Sequence, residues 1–205
     1  NPLIRIIDID AITRIAHKAG ALVVVDSTFT TPFAICPLDH GADIVVHSMT
    51  KYFGGHSDIT AGCITGPKKL MKKIYSDYLL FGGCLDPQNS WLLLRSIRTM
   101  EMRVTRQFAN AQALAEALQA DPHVRYVNYP TLPNHPQHKL AETLLPHGCG
   151  AMLSFRVEDD RQKVNEFMHR LKVVKYLGTL GGYRTTIAHP ATACRFDFTP
   201  QQLRD

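Results

Sequence analysis

Apolar and polar positions along the chain alternate between helical and strand-like patterns. Ile12, Ile15 and Ala16 form an i, i+3, i+4 stripe behind Asp8 and Asp10, either of which can cap a helix that runs to about Lys18 and stops at Gly20. Ala21 to Val25 is then a continuous apolar, β-branched run, the pattern of a strand buried on both faces. After Pro32 the chain returns through Leu38, Gly41 and Ala42 to a second such strand, Ile44 to His47. A third strand is predicted at Ile59 to Thr65, and Pro67 opens a helix to about Tyr78. Short strands alternating with helices indicate a parallel or mixed α/β sheet.

Asp86-Pro87 opens the longest helical pattern, which has no internal Gly or Pro as far as about Ala120. Its apolar positions include Trp91, Leu94, Ile97, Met100, Val104, Phe108 and Ala111, and a helix of that length usually connects two domains. From Val124 the pattern reads as a strand to Tyr129, a loop with Pro130, Pro133 and Pro136, and a helix. Then come a strand at Ala151 to Val157, a helix at Asp160 to Leu171 and a strand at Val173 to Leu177. The expected division is part of a large α/β domain over 1–85, a linker helix over 86–120 and a partial small α+β domain over 121–205.

With 20% charged and 45% hydrophobic residues the chain has the composition of a soluble globular protein, not of a disordered or collagen-like one. Its apolar runs are too short to cross a bilayer, so no membrane partner is expected. The net charge of +5 is mild. The basic residues are scattered through predicted helices, as in Lys68, Lys69, Lys72 and Lys73 or Arg95, Arg98, Arg103 and Arg106, and a solvated helix face explains Lys68 to Lys73 better than a nucleic-acid patch. Cys36, Cys63, Cys84, Cys149 and Cys194 form no CxxC pair, and reduced thiols in the cytoplasm are the simplest expectation. The chain opens at Asn1-Pro2-Leu3 without a methionine and closes soon after the helix-start signal Thr199-Pro200, the pattern of a piece of a longer protein.

The candidate chemistry lies in the run HSMTKYFGGHSD, His47 to Asp58. Asp26 ends one strand, Ser48 and Thr50 end the next, and Lys51 follows at once. In an open α/β sheet ligands collect outside the carboxyl ends of strands, so these groups can face one crevice. A lysine for a Schiff base, a carboxylate for a pyridinium nitrogen and hydroxyls for a phosphate are what pyridoxal phosphate catalysis needs. Spacing alone leaves the blander reading open: a solvated lysine after a strand, and an aspartate that closes a turn. Gly54 and Gly55 would leave clearance for the cofactor loop. No second ligand stands at metal-site spacing from His47 or His56, and no metal is expected. A nucleotide site is disfavoured by the absence of any GxGxxG or GxxxxGK[ST] run.

The same run, preceded by VVVDSTFTTP, resembles the Cys/Met-metabolism family of pyridoxal phosphate enzymes, which includes cystathionine γ-synthases, cystathionine lyases, methionine γ-lyases and homoserine sulfhydrylases. Three further stretches resemble that family in the same order: Asn1-Pro2-Leu3, WLLLRSIRTMEMR from Trp91 to Arg103, and TLGGYRTTIAHPAT from Thr179 to Thr192. The resemblance implies the PLP-dependent transferase fold, like that of aspartate aminotransferase, with part of the large domain and part of the C-terminal small domain. It also implies that Lys51 carries the cofactor, Asp26 pairs with its ring nitrogen, Ser48 and Thr50 hold its phosphate, and Asn1 and Thr179 contact substrate. His189, before Pro190, is expected to be structural.

The implied activity is elimination or replacement at Cγ, or Cβ, of a sulfur amino acid or an O-acylhomoserine, in a homodimer or homotetramer with shared active sites. The alternative is a non-catalytic remnant or partner-binding fragment of the same fold. Family segments that reach the phosphate and the substrate carboxylate have no counterpart in these 205 residues, so the isolated chain is expected to bind cofactor poorly and catalyse little. Cys194-Arg195 stands where the family usually has a threonine and histidine, and Tyr183-Arg184 where it usually has Val-Glu or a similar pair, which leaves substrate choice open.

Overall fold

A computed structural model describes residues 1 and 3–190. Helix α1 (Ile9–Lys18) starts where expected, because the Asp8 side chain accepts a hydrogen bond from Ala11 N at 2.9 Å. Its buried positions are Ile9 and Thr13, whereas Ile12 and Ile15 of the predicted stripe are exposed. The helix is thus rotated from the expected face. Thr13 satisfies its hydroxyl by donating back to Ile9 O at 2.9 Å, so a polar side chain can occupy the packed position.

Strand β1 (Val24–Asp26) runs parallel to β2 (Ile44–Ser48), which pairs antiparallel with β3 (Gly62–Thr65). The sheet is therefore mixed, with β1 at one edge and β2 in the centre. Alternation places Val45 and His47 on one face and Val46 and Ser48 on the other. The Val45 face is covered, with Val23, Ala42 and Val45 packed against Ala16 of α1 and Leu38 of a 3-10 turn at Pro37–His40. The opposite face carries Val24, 57% exposed, and Ile64, 43% exposed. The apolar run Ala21 to Val25 is thus not buried on both faces: Val23 is covered, whereas Ala21, Leu22 and Val24 are exposed.

The segment after β1 begins with a short helix, α2 (Thr31–Ala34). Helix α3 (Lys68–Phe81) follows β3 and exposes Lys68, Lys69, Lys72 and Lys73. The long helical pattern is broken in two, α4 (Pro87–Ile97) and α5 (Met100–Ala120), at Arg98-Thr99. Met100, Val104, Phe108, Ala111 and Ala115 form the buried stripe of α5, and they pack with Ile9, Ala34, Tyr52, Tyr129 and Leu132 into the main core. Beyond α5, strand β4 (Tyr126–Asn128) pairs antiparallel with β5 (Ser154–Arg156), with α6 (His138–Leu144) between them. Helix α7 (Arg161–Arg170) is capped by Asp160, and β6 (Lys175–Tyr176) runs parallel to β7 (Thr186–Ile187). Thr192, Cys194, Arg195, Thr199 and Pro200 lie outside the described residues.

Candidate active site

The two parallel strands end side by side, and their last residues are Asp26 and Ser48. Ser27 N donates to Val46 O at 3.0 Å, extending the ladder one step past β1. Thr28 then joins the two ends: its backbone N–H donates to Asp26 Oδ1 at 2.9 Å, and its Oγ1 accepts from Ser48 N at 2.8 Å. The Asp26 carboxylate is fixed by a local turn of the kind aspartate favours and remains exposed. Thr28 had no role in the sequence reading, although the hydroxyl two residues after a strand-end aspartate is a local signal for such a turn.

From Ser48 the chain folds back tightly. Lys51 N donates to Ser48 O at 3.1 Å, Gly54 N to Met49 O at 2.8 Å and Gly55 N to Lys51 O at 2.7 Å, so Lys51 sits in a compact turn at the carboxyl end of β2. The lysine is half-buried, and its Nζ makes no hydrogen bond or ion pair among the described residues. The Ser48 hydroxyl likewise makes no hydrogen bond among them.

Thr50 is different. Its Oγ1 donates to Ala61 O at 3.2 Å and accepts from Ala61 N at 2.9 Å, while its own N–H also reaches Ala61 O at 3.0 Å. A hydroxyl has one proton to give, and here that proton closes the β2–β3 connection rather than facing outward. Gly54 and Gly55 also turn out to make room for protein. A Cβ at Gly54 would come within 2.8 Å of the Ile59 side chain, and one at Gly55 would overlap the Arg103 guanidinium.

His47 is buried on the opposite face of β2, its ring 5.2 Å from that of Phe53, and its Nδ1 has no partner among the described residues. Burial pushes its pKa below the ordinary value, against a smaller opposing pull from the Asp26 charge. Cys63, which pairs with His47 across the sheet, has its thiol pushed up by burial. Tyr52, directly after Lys51, is 1% exposed; burial raises its phenol to about 12, and the Ala151 N–H faces the hydroxyl without closing a hydrogen bond of normal geometry.

Two sequence-predicted residues lie further along the chain. Thr179 belongs to the turn before β7, where its carbonyl accepts from Thr186 Oγ1 at 2.8 Å. That turn reaches the lysine through Gly181: a Cβ there would stand 2.6 Å from Tyr52 N and 2.7 Å from the Lys51 carbonyl carbon. Asn1 is exposed, and its side chain donates to Arg5 O at 2.7 Å and accepts from Arg5 N at 3.0 Å. The structure thus gathers Asp26, Ser48, Thr50 and Lys51 at the strand ends and sets the Thr179–Gly181 turn against Lys51. Asn1 is engaged with its own turn.

An aldehyde cofactor with a pyridine ring and a phosphate fits this donor set. The amine and one hydroxyl are uncommitted, and one carboxylate oxygen of Asp26 accepts nothing among the described residues. Arg103, a basic residue of the long helical pattern with no role assigned from the sequence, is half-buried and bonded to the lysine turn. Nothing in helical spacing could have revealed that, because the acceptors in the lysine turn, Tyr52 O and Phe53 O, lie 51 and 50 residues earlier. Among the described residues no three His, Cys, Asp or Glu side chains gather as a metal site, and no helix is long and apolar enough to cross a membrane.

Comparison with known proteins identifies the family of the chain. A family described as Cys/Met metabolism PLP-dependent enzyme matches residues 1–205. The chain is 40% identical over 204 residues to cystathionine gamma-synthase 1, chloroplastic, of Arabidopsis thaliana, covering 100% of this chain and 36% of that protein. It is 42% identical over 192 residues to cystathionine gamma-lyase of Bacillus subtilis strain 168, covering 93% and 50%. The solved cystathionine gamma synthase of Xanthomonas oryzae pv. oryzae, in complex with aminoacrylate and cysteine, superposes with a TM-score of 0.93 at 38% identity, covering 98% of this chain and 52% of that one. The chain spans between about a third and a half of the length of these proteins. It has the α/β fold expected from the sequence, that of the PLP-dependent transferases. The chain belongs to the Cys/Met metabolism family of PLP-dependent enzymes.

Proposed function

We propose that the protein carrying this chain is a pyridoxal phosphate-dependent trans-sulfuration enzyme, acting by elimination or replacement at Cγ or Cβ of a sulfur amino acid or an O-acylhomoserine. The observation that carries this reading is Lys51, whose backbone is held in a closed turn at the end of β2, beside the parallel strand that ends at Asp26, and whose amine has no partner among the described residues.

When bound, pyridoxal phosphate supplies an electron sink for negative charge at the Cα of an amino acid. Lys51 is the residue to hold its aldehyde carbon, and Lys51 Nζ, once free and neutral, is the base placed to take the Cα proton. The Asp26 carboxylate stabilises a proton on the ring nitrogen. Ser48 donates to the phosphate, and Thr50 joins it only by turning its hydroxyl away from Ala61 O. Thr179 and Asn1 are proposed to meet the substrate carboxylate, Thr179 from the turn packed on Lys51.

In this reading residues 1–85 are part of the large cofactor domain, 86–120 the helical linker, and 121–205 part of the small domain. The whole protein works in the cytoplasm as a homodimer or homotetramer with shared sites, on amino-acid substrates and without nucleic-acid or membrane partners. The free thiols of Cys36, Cys63, Cys84 and Cys149 suit a reducing compartment.

The test is Lys51→Ala in the whole protein loaded with pyridoxal phosphate. Loss of the visible absorbance of the lysine-bound cofactor, and of α-keto acid release from cystathionine, methionine and O-acylhomoserine, is expected. Retention of both in the variant would sink the assignment. Assays with and without added thiol separate replacement from elimination.

A further inference from the structure

Helix α5 sends two polar side chains, one turn apart on one face, toward the lysine turn. Arg103 Nη1 donates to Tyr52 O at 2.9 Å, and its Nη2 donates to Phe53 O at 3.3 Å and to Ser96 O at 3.0 Å. Gln107 Nε2 donates to Gly182 O at 2.9 Å. Between these two anchors lies the contact of Gly181 with the Lys51–Tyr52 peptide, too close for any Cβ. One side chain therefore holds the carbonyls that follow Lys51, and the other holds the diglycine turn that presses on them.

Charge does not explain Arg103. Among the described residues its guanidinium has no ion pair, its acceptors are neutral oxygens, and burial weakens its hold on its proton. Placing a half-buried cation against neutral carbonyls is costly, and what arginine supplies is a rigid fork that spans two successive carbonyls. The surroundings are shaped to admit it: Gly55 leaves its space open, and the break between α4 and α5 brings Ser96 O within its reach. Gln107 has a buried Oε1 with no partner among the described residues, so its amide is not placed by its own satisfaction.

We propose, building on the functional reading above, that Arg103 and Gln107 are positioning residues that fix the Lys51 amine and set the Thr179–Gly182 turn over it. They touch neither reacting atom; they act through the backbone on either side of the lysine.

The experiment uses the whole protein loaded with pyridoxal phosphate, in wild-type form and as Arg103→Met, Arg103→Lys and Gln107→Leu. Borohydride fixation and mass spectrometry first locate the cofactor. A wild-type protein with no adduct on Lys51 overturns the functional reading and with it this proposal. With the adduct on Lys51, both Arg103 variants are expected to bind pyridoxal phosphate about tenfold more weakly and to shift the pH midpoint of the bound chromophore, because lysine lacks the fork. Gln107→Leu moves the turn and not the lysine, so it is expected to raise KM for the sulfur amino acid that wild type turns over by about tenfold while leaving the chromophore midpoint in place. Folded Arg103 variants with wild-type affinity and midpoint, merely lower in Tm, overturn the proposal. If neither Arg103 variant folds, Gln107→Leu decides: an unchanged KM overturns it.

Discussion

Thr28 Oγ1 accepts a hydrogen bond from Ser48 N at 2.8 Å, tying the loop after β1 to the last residue of β2. Thr28 is buried, so Thr28→Val would leave the Ser48 N–H without an acceptor. The expected cost is about 1–3 kcal/mol of unfolding free energy. Cofactor affinity should fall too, since Ser48 and Asp26 lose their mutual registration. Thr28→Ser keeps the oxygen and should stay close to wild type in both. Urea unfolding and pyridoxal phosphate titration measure the pair, and equal behaviour of the Val and Ser variants would contradict the role given to the hydroxyl.

Glycine substitutions should rank by what a Cβ meets. At Gly181 the φ of +75° is unfavourable for an L residue and the Cβ would also collide with the Lys51–Tyr52 backbone. At Gly20 the φ is +72° but nothing lies within 4 Å. Gly20→Ala is thus expected to cost about 1 kcal/mol from backbone strain alone. Gly181→Ala must cost more than that, and it should also weaken cofactor binding, because the clash falls on backbone next to Lys51. Gly178→Ala meets nothing within 4 Å and serves as the mild control. Thermal unfolding and cofactor titration of the three variants test the order, and a Gly181→Ala protein that binds cofactor like wild type would break it.

The parts of this arrangement that were legible in the sequence are local ones. Asp8 and Asp160 announce helix starts because a carboxylate can accept from N–H groups two or three residues on, and both do. Asp26, Ser48 and Lys51 were legible because strand ends in an α/β sheet collect chemistry. Long-range contacts were not legible. The break at Arg98-Thr99 has no Gly or Pro to mark it and is held by Arg103 reaching across to Ser96, Tyr52 and Phe53. The commitment of Thr50 to Ala61 depends on a strand pairing eleven residues away. The exposed faces of Val24 and Ile12 read as buried because an apolar run states what could be covered, not what covers it.

Acid should destabilise this fold through its buried histidines. Burial depresses the pKa of His47, and that of His135, which is also disfavoured by the nearby His138. The unfolded chain, with histidine at its ordinary 6.5, then binds more protons than the native one in the window below that value. The stability contributed by the neutral rings is complete above 6.5 and is lost as pH falls from there through the lower native pKa values. Chemical unfolding at a series of pH values from 8 to 5, roughly spanning histidine titration, should show this fall. His47→Phe keeps a ring against Phe53 and removes one titrating group, so it should flatten the slope. A slope in the variant as steep as in wild type would show that His47 is not a source of it.

Two buried phenols make opposite predictions. Tyr129 Oη donates to Gly150 O at 2.8 Å, and Gly150 is itself packed with a potential Cβ position 2.6 Å from Phe29 O, so the carbonyl has little freedom to find another donor. Tyr129→Phe should therefore cost about 1–2 kcal/mol, the loss of one buried hydrogen bond with its acceptor left behind. Tyr52 is equally buried, but its hydroxyl has no partner among the described residues. Removing an unsatisfied polar atom relieves a penalty, so Tyr52→Phe should be neutral or stabilising. Differential scanning calorimetry of the two variants gives the answer, with Tm lowered for Tyr129→Phe and held or raised for Tyr52→Phe. A substantial loss from Tyr52→Phe would mean that the phenol next to Lys51 has a partner in the whole protein, and the segment that supplies it would then be the place to look for the rest of the active site.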